Sequence, residues 1–179
     1  MRYRFHVLFL GIALAFMQAI LQPASAGTNC AAGVRVQKAA QDFMRAARTG
    51  SRAALRRTLL RHVDMRGVMN FALGRSIRRL KGAQRSQYYR RANAYAVRRL
   101  AQLAKHIHGN RVEVVRCKGN RVVTRLLPQR EKVIWKLRGG RVIDVNVRGV
   151  WVAQMLRGQF RRMLRESNDN MQVFLARLN

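Results

Sequence analysis

Hydrophobic residues change their period along this chain, from about 3.6 in the first part to 2 beyond Arg111 and back to helical spacing after Gly149, and this pattern predicts the architecture. Val34 to Arg48 places Val36, Ala39, Ala40, Phe43, Met44 and Ala47 near one helical face, and Gly50 ends the run. Ser51 is a suitable N-cap for a second helix through His62, carrying Leu55, Leu59 and Leu60. Asp64 caps a third, Met65 to Leu73, which Gly74 closes with a left-handed stop, so that Arg75 to Leu80 crosses to the next helix. Gln84 to about His106 is the longest helix, with Tyr88, Ala92, Tyr95, Ala96, Leu100 and Leu103 on one side and Arg85, Arg90, Arg91, Arg98, Arg99 and Lys105 on the other.

Gly109-Asn110 marks the switch. Val112 to Cys117 and Val122 to Leu127 read as strands joined by a Gly119-Asn120 turn. Pro128-Gln129 turns the chain into a third strand, Glu131 to Leu137, with Val133, Trp135 and Leu137 on one face. Gly139-Gly140 leads to a fourth strand, where Ile143, Val145 and Val147 alternate with Asp144, Asn146 and Arg148. Gly149 breaks the alternation, and a helix follows with Val152, Met155, Leu156 and Phe160 on one side. Ser167 is expected to cap a last short helix bearing Met171, Phe174, Leu175 and Leu178. Short turns between strands require antiparallel neighbours. The expected fold is therefore α+β, a single domain with several helices packed on one face of a curved antiparallel sheet of about four strands.

The first 26 residues read as a cleaved secretory signal peptide rather than part of that domain, which then occupies residues 27–179. Arg2 and Arg4 form a basic start, Val7 to Met17 an apolar run too short for a membrane span, and Ala24-Ser25-Ala26 an A-x-A cleavage site. Thr28-Asn29 before Cys30 is not a lipobox, which argues against a lipid anchor. Export would place Cys30 and Cys117 in an oxidising compartment. The expectation is a Cys30–Cys117 bridge tying the mature N-terminus to the sheet, the alternative being two separate buried thiols.

The charge is extreme. The chain has 37 Lys+Arg against 7 Asp+Glu, and loss of Arg2 and Arg4 still leaves a formal +28. A hydrophobic content of 49% with interleaved charges argues against a disordered basic tail. Nothing in the sequence calls for catalysis, a metal or a cofactor. The carboxylates are scattered, and Asp64 is explained as a cap. Asp144 reads first as a partner for one of the many arginines and only second as a proton-transfer group. His106-x-His108 has diverging rings and no third ligand nearby, neither cysteine has a CxxC or catalytic context, and no G-x-G-x-x-G loop is present. Without a zinc-finger, RNP or helix-turn-helix signature, specific nucleic-acid binding is not expected. The basic surface then attracts anionic membrane surfaces, binds polyanions generally, or is simply solvated.

Two blocks carry a family resemblance. DVNVRGVWVAQMLRGQFRRML resembles the C-terminal signature of the Mla-type (toluene-tolerance) periplasmic phospholipid carriers, roughly D-V-x-V-x-G-V-S and then a helix ending Y-R-x-Q-F. Asp144, Val145, Val147, Gly149, Val150, Arg157, Gln159 and Phe160 fit. Trp151 replaces the usual Ser, where it would narrow the mouth of a pocket, and Leu156 replaces the usual Tyr. In VDMRGVMNFALGRSIRRLKGAQRSQYYRRA, Asp64, Met65, Leu73, Gly74, Gln84, Arg85 and Tyr88 match the family's other block, with Ile77 at a commonly aromatic position. The resemblance implies a periplasmic carrier that shields phospholipid acyl chains between helices and sheet. Its partners would be the lipid-binding ring of an inner-membrane ABC transporter and an outer-membrane lipoprotein–porin complex, and it would need no cofactor. Period and face nominate Val133, Trp135, Ile143, Val145 and Val147 for the sheet wall of the lipid site. Phe71, Leu73, Tyr88, Tyr95, Val152, Met155 and Phe160 are nominated for the helical side. A hopanoid ligand, known from a related branch of the family, and a non-carrier adaptor working through charge are the alternatives.

Overall fold

A computed structural model describes residues 30–104 and 109–179 of the chain; the segment 1–26, Lys105, His106 and His108 lie outside the described residues. Helices come first and strands follow. α1 (Ala31–Arg48) begins three residues earlier than the apolar pattern indicates, because Cys30 provides the cap and its sulfur accepts the Gly33 N–H. Cys30 is bonded to Cys117 across 87 residues of chain. In the chain-entropy model such a loop is worth roughly 4–5 kcal/mol. Gly33 sits where the helix passes closest to this link: a Cβ there would lie 3.2 Å from both sulfurs and from Val114.

Ser51 caps α2 (Arg52–His62) by accepting from Ala54 N, and Asp64 caps α3 (Met65–Leu73) by accepting from Gly67 N at 2.9 Å. Gly74, at φ +61°, ends α3 and opens a 3-10 turn, Gly74–Arg79, that leads into α4 (Gly82–Ala104). The strands β1 (Arg111–Lys118), β2 (Arg121–Leu127), β3 (Glu131–Arg138), β4 (Arg141–Val147) and β5 (Val150–Trp151) form an antiparallel meander in chain order. The fifth strand adds to the four that the period indicates. Arg148 (φ +51°) and Gly149 (φ +83°) turn the chain in two residues, which folds Val150 and Trp151 back onto Val147 and Asn146. The chain then enters α5 (Val152–Glu166) and α6 (Met171–Arg177).

Ser167 does not cap α6. Helical spacing continues through Met163 and Leu164, so Ser167 instead closes α5, its hydroxyl donating to Met163 O. Asn168 and Asp169 take left-handed backbone angles, and Asn170 caps α6 by accepting from Gln172 N and Val173 N.

The apolar interior is divided. α1 lies on one sheet face, where Ala40 and Met44 meet Val112 and Leu126, Val36 meets Val122 and Leu137, and Trp135 touches both groups. A second, larger core is almost wholly helical and centres on Met69, Leu73, Tyr88, Phe160, Phe174 and Leu178 from α3, α4, α5 and the C-terminal segment. Ala46, Leu55 and Val97 join α1, α2 and α4. No helix among the described residues is long and apolar enough to cross a membrane.

Two carboxylates hold these layers together. His62 Nε2 lies 2.8 Å from Asp42 Oδ2, clasping α2 to α1, and Arg138 donates to Asp64 Oδ2 at 2.8 Å, holding the start of α3 to β3. The His62 hydrogen bond, and for Asp64 the bonds from Arg138 and the Gly67 N–H, hold both carboxyls below their ordinary 3.8. A carboxyl with a lowered folded pKa stabilises the fold fully above its unfolded value and loses that contribution as pH falls through the folded one. The thermal midpoint should therefore drop as pH falls below about 4, and Asp42→Asn with Asp64→Asn should flatten that drop. An acid limb as steep in the double variant as in the parent would contradict the assignment.

Candidate functional site

The junction of β4, β5 and α5 gives the D-V-N-V-R-G pattern a physical meaning. Asp144 Oδ1 accepts the N–H of Ala153, in the first turn of α5, and that of Val145, both at 2.9 Å. Trp151, at the N-cap position of α5, makes no capping bond with its own side chain, so the cap comes from the neighbouring strand. Asn146 Oδ1 accepts from Gly149 N at 3.2 Å and steadies the turn, while Arg148 grips Glu131 through two bonds of 2.8 and 3.2 Å. The expectation that Asp144 pairs with an arginine is thus corrected: among the described residues no basic group lies within ion-pair distance of it. Its charge instead faces the positive end of α5.

The nominated lipid-site residues fall into distinct environments. Leu73, Tyr88 and Phe160 are fully packed in the helical core, and Tyr95 lies against it. Tyr88 and Tyr95 both meet the Phe160 ring edge-on. Tyr88 OH donates to Met69 O, and burial pushes its phenol up, out of reach of proton exchange near neutral pH. Phe71 stands apart on the surface, 41% exposed, with the Arg157 guanidinium 5.0 Å from its ring centroid.

On the sheet, Val133 pairs with Val147 and Trp135 with Val145, which puts all four on the face that α1 covers. Trp135 fixes its ring by donating Nε1–H to Thr124 Oγ1. Toward β4 the cover thins. Val145 and Val147 are half-buried, as is Ile143, the extra residue where β4 shifts register against β3. Val152 and Met155 are half-buried on the flank of α5 beside the stripe of Ala153, Leu156 and Phe160 that enters the helical core. These five side chains belong to none of the packed clusters. Half-buried apolar side chains along β4 and the start of α5 thus stand outside the packed clusters. Tyr95 OH donates to Gln159 Oε1 along the same flank of α5. Asn146, Thr124 and Gln159 were not among the nominated residues. For Asn146 a signal existed, an Asn three residues before a Gly.

Electrostatically the surroundings are unusual. Besides the few ion pairs, arginines donate to carbonyls in the last turns of helices, where partial negative charge gathers. Arg91 and Arg98 of α4 donate to Leu175 O and Leu178 O at the end of α6, Arg157 donates to Phe71 O near the end of α3, and Arg141 to Leu60 O near the end of α2. Two surface hollows, one lined by Asn110, Arg111, Arg125 and Arg130 among others and one between α4 and α6, involve none of the nominated residues.

Comparison with known proteins adds to this geometry. The family model described as "MlaC protein" matches residues 32–179. No curated protein matches the chain. Among solved structures, the fold is similar to that of the phospholipid-binding protein from Ralstonia solanacearum in complex with a phospholipid. That match has a TM-score of 0.67 at 14% identity and covers 82% of this chain and 94% of the other.

The cap assignment predicts that Asp144→Ala lowers stability by about 1 kcal/mol, and that Asp144→Asn, which keeps an acceptor, loses clearly less. Urea denaturation of the three proteins measures both. An alanine variant with an unchanged midpoint would rule out the capping role.

Proposed function

The chain belongs to the MlaC protein family, and from that membership we propose that it is a periplasmic carrier that holds the acyl chains of a phospholipid in an apolar seam formed by β4 and the start of α5. The observation that carries this reading is the set of half-buried apolar side chains, Ile143, Val145, Val147, Val152 and Met155, left outside every packed cluster. Closing such a seam with water on one side leaves apolar surface exposed. Filling it with acyl chains recovers about 25 cal/mol per Å² of surface removed from water. Leu73, Tyr88 and Phe160 then serve as the firm back of the site rather than its lining, and Tyr95 with Gln159 offers a polar rim. The phospholipid bound to the similar Ralstonia protein supports the choice of ligand class.

In this reading the mature protein begins after Ala26. It takes lipid from, or gives lipid to, the lipid-binding ring of an inner-membrane ABC transporter and an outer-membrane lipoprotein–porin complex. Hand-over through docked proteins suits the energetics. Each methylene drawn through water costs about 0.8 kcal/mol, so a two-chain lipid leaves bulk membrane very slowly unaided. The chain's part in this is binding and positioning, with no bond made or broken.

Two changes at one position test the seam. Val147→Glu should abolish lipid recovered by organic extraction from protein purified without detergent, while the circular dichroism of the fold is kept. Val147→Ala should cost little stability, whereas Val122→Ala, in the packed sheet core, should cost roughly 2 kcal/mol. Undiminished lipid in a folded Val147→Glu protein would sink the proposal.

A further inference from the structure

The sheet face turned away from α1 has a composition of its own. Strand register places Arg116, Lys118, Arg121, Arg125 and Lys132 on it, all exposed. Lys118 pairs with Arg121, Arg125 with Lys132, and between these two rows lies the pair Val123 and Ile134, both half-buried. The cations thus ring a small aliphatic centre. At the β4 side, Lys136 places its ammonium 4.0 Å from the centroid of the half-buried Trp151 ring. None of the five exposed cations has a carboxylate within ion-pair distance among the described residues. Glu113 shares this face, opposite Arg125, but is engaged by Arg111, and Asp144 by backbone N–H groups. The cations of this face thus outnumber its carboxylates.

We propose that this outer sheet face docks the protein on the surface of an anionic phospholipid bilayer. Strands fix the cations about 4.8 Å apart across the sheet and set the Lys118–Arg121 and Arg125–Lys132 rows about 14 Å apart along it. An acidic protein would need carboxylates matched to that lattice around an apolar centre of its own. Headgroup phosphates are laterally mobile and can gather beneath any such array, so a bilayer needs no matched pattern. Lys and Arg stems can lie along the aliphatic centre while their charges reach the phosphates, and an indole beside a lysine suits the interface between headgroups and acyl chains. Attraction of this kind is long-ranged and weakens with salt. The inference goes beyond lipid carriage and does not depend on what the seam holds.

The test uses co-sedimentation with vesicles made of equal parts phosphatidylglycerol and phosphatidylcholine, against pure phosphatidylcholine. The triple variant Arg121→Glu, Arg125→Glu, Lys132→Glu should lose about tenfold or more in affinity for the anionic vesicles, since each basic group near such a surface contributes appreciably. A control with the same change in net charge on the helical side, Arg56→Glu, Arg85→Glu, Arg90→Glu, should lose much less. Equal losses would mean diffuse attraction by the whole charge and would overturn the assignment to this face. Full binding by the sheet variant would overturn it. A readout without charge reversal guards against a variant that fails to fold. Trp135→Phe leaves Trp151 as the sole tryptophan, and its emission should shift to the blue on anionic vesicles and not on neutral ones. Bound protein without that shift would place the contact elsewhere. Lipid extracted from the same samples reports the seam separately, so loss of docking with retained lipid tells the two proposals apart.

Discussion

The outer edge of β4 is the attachment on which the helical half depends. Beyond the two residues that β5 covers, this edge would leave backbone groups without partners. Val142 O accepts from Asp64 N at 2.9 Å, beside a bridge between Val63 and Val142, and Asp144 accepts from Ala153 N. Two helices, α3 and α5, therefore start from one short piece of strand, each with an aspartate at its positive end. α3 and α5 then pack against each other and carry Met69, Leu73 and Phe160 into a common core. Satisfying an edge strand and capping two helices are here one arrangement.

Charge shapes the fold in a second way. With seven acidic residues in the whole chain, ion pairs can engage only a small part of the arginines. Exposed pairs of this kind stabilise little in any case. Guanidinium groups instead bond carbonyls near helix C-termini, where partial negative charge gathers. Arg91 and Arg98 fasten α6 to α4 in this manner, which lets Phe174 and Leu178 close the helical core at 0% exposure. The surplus cations remain on the surface, most regularly on the outer face of the sheet.

Much of this was legible from the residues alone, and the gaps have physical causes. Ser51, Asp64 and Gly74 announce helix boundaries because the groups they serve lie within a few residues. Asp144 was not legible as a cap, since the amide it serves is nine residues on and is reached only after a hairpin. β5 was missed because two residues are too few to show a period. The difference between fully buried and half-covered wall positions was also out of reach. Val122 and Val145 occupy equivalent inward positions in the alternation, yet one is fully buried under α1 and the other only half-covered. Alternation gives the face of a residue, while its depth depends on where a helix from elsewhere in the chain comes to lie.

In the proposed carrier, two packed cores would keep the fold while the half-covered side chains of β4 and α5 take up flexible apolar chains. Native mass spectrometry of the protein expressed from its full sequence, purified without ever being exposed to detergent, tests this most directly. The account predicts a population heavier than the chain by the mass of one phospholipid, released as free lipid on activation. A folded protein found only at its bare mass would contradict it.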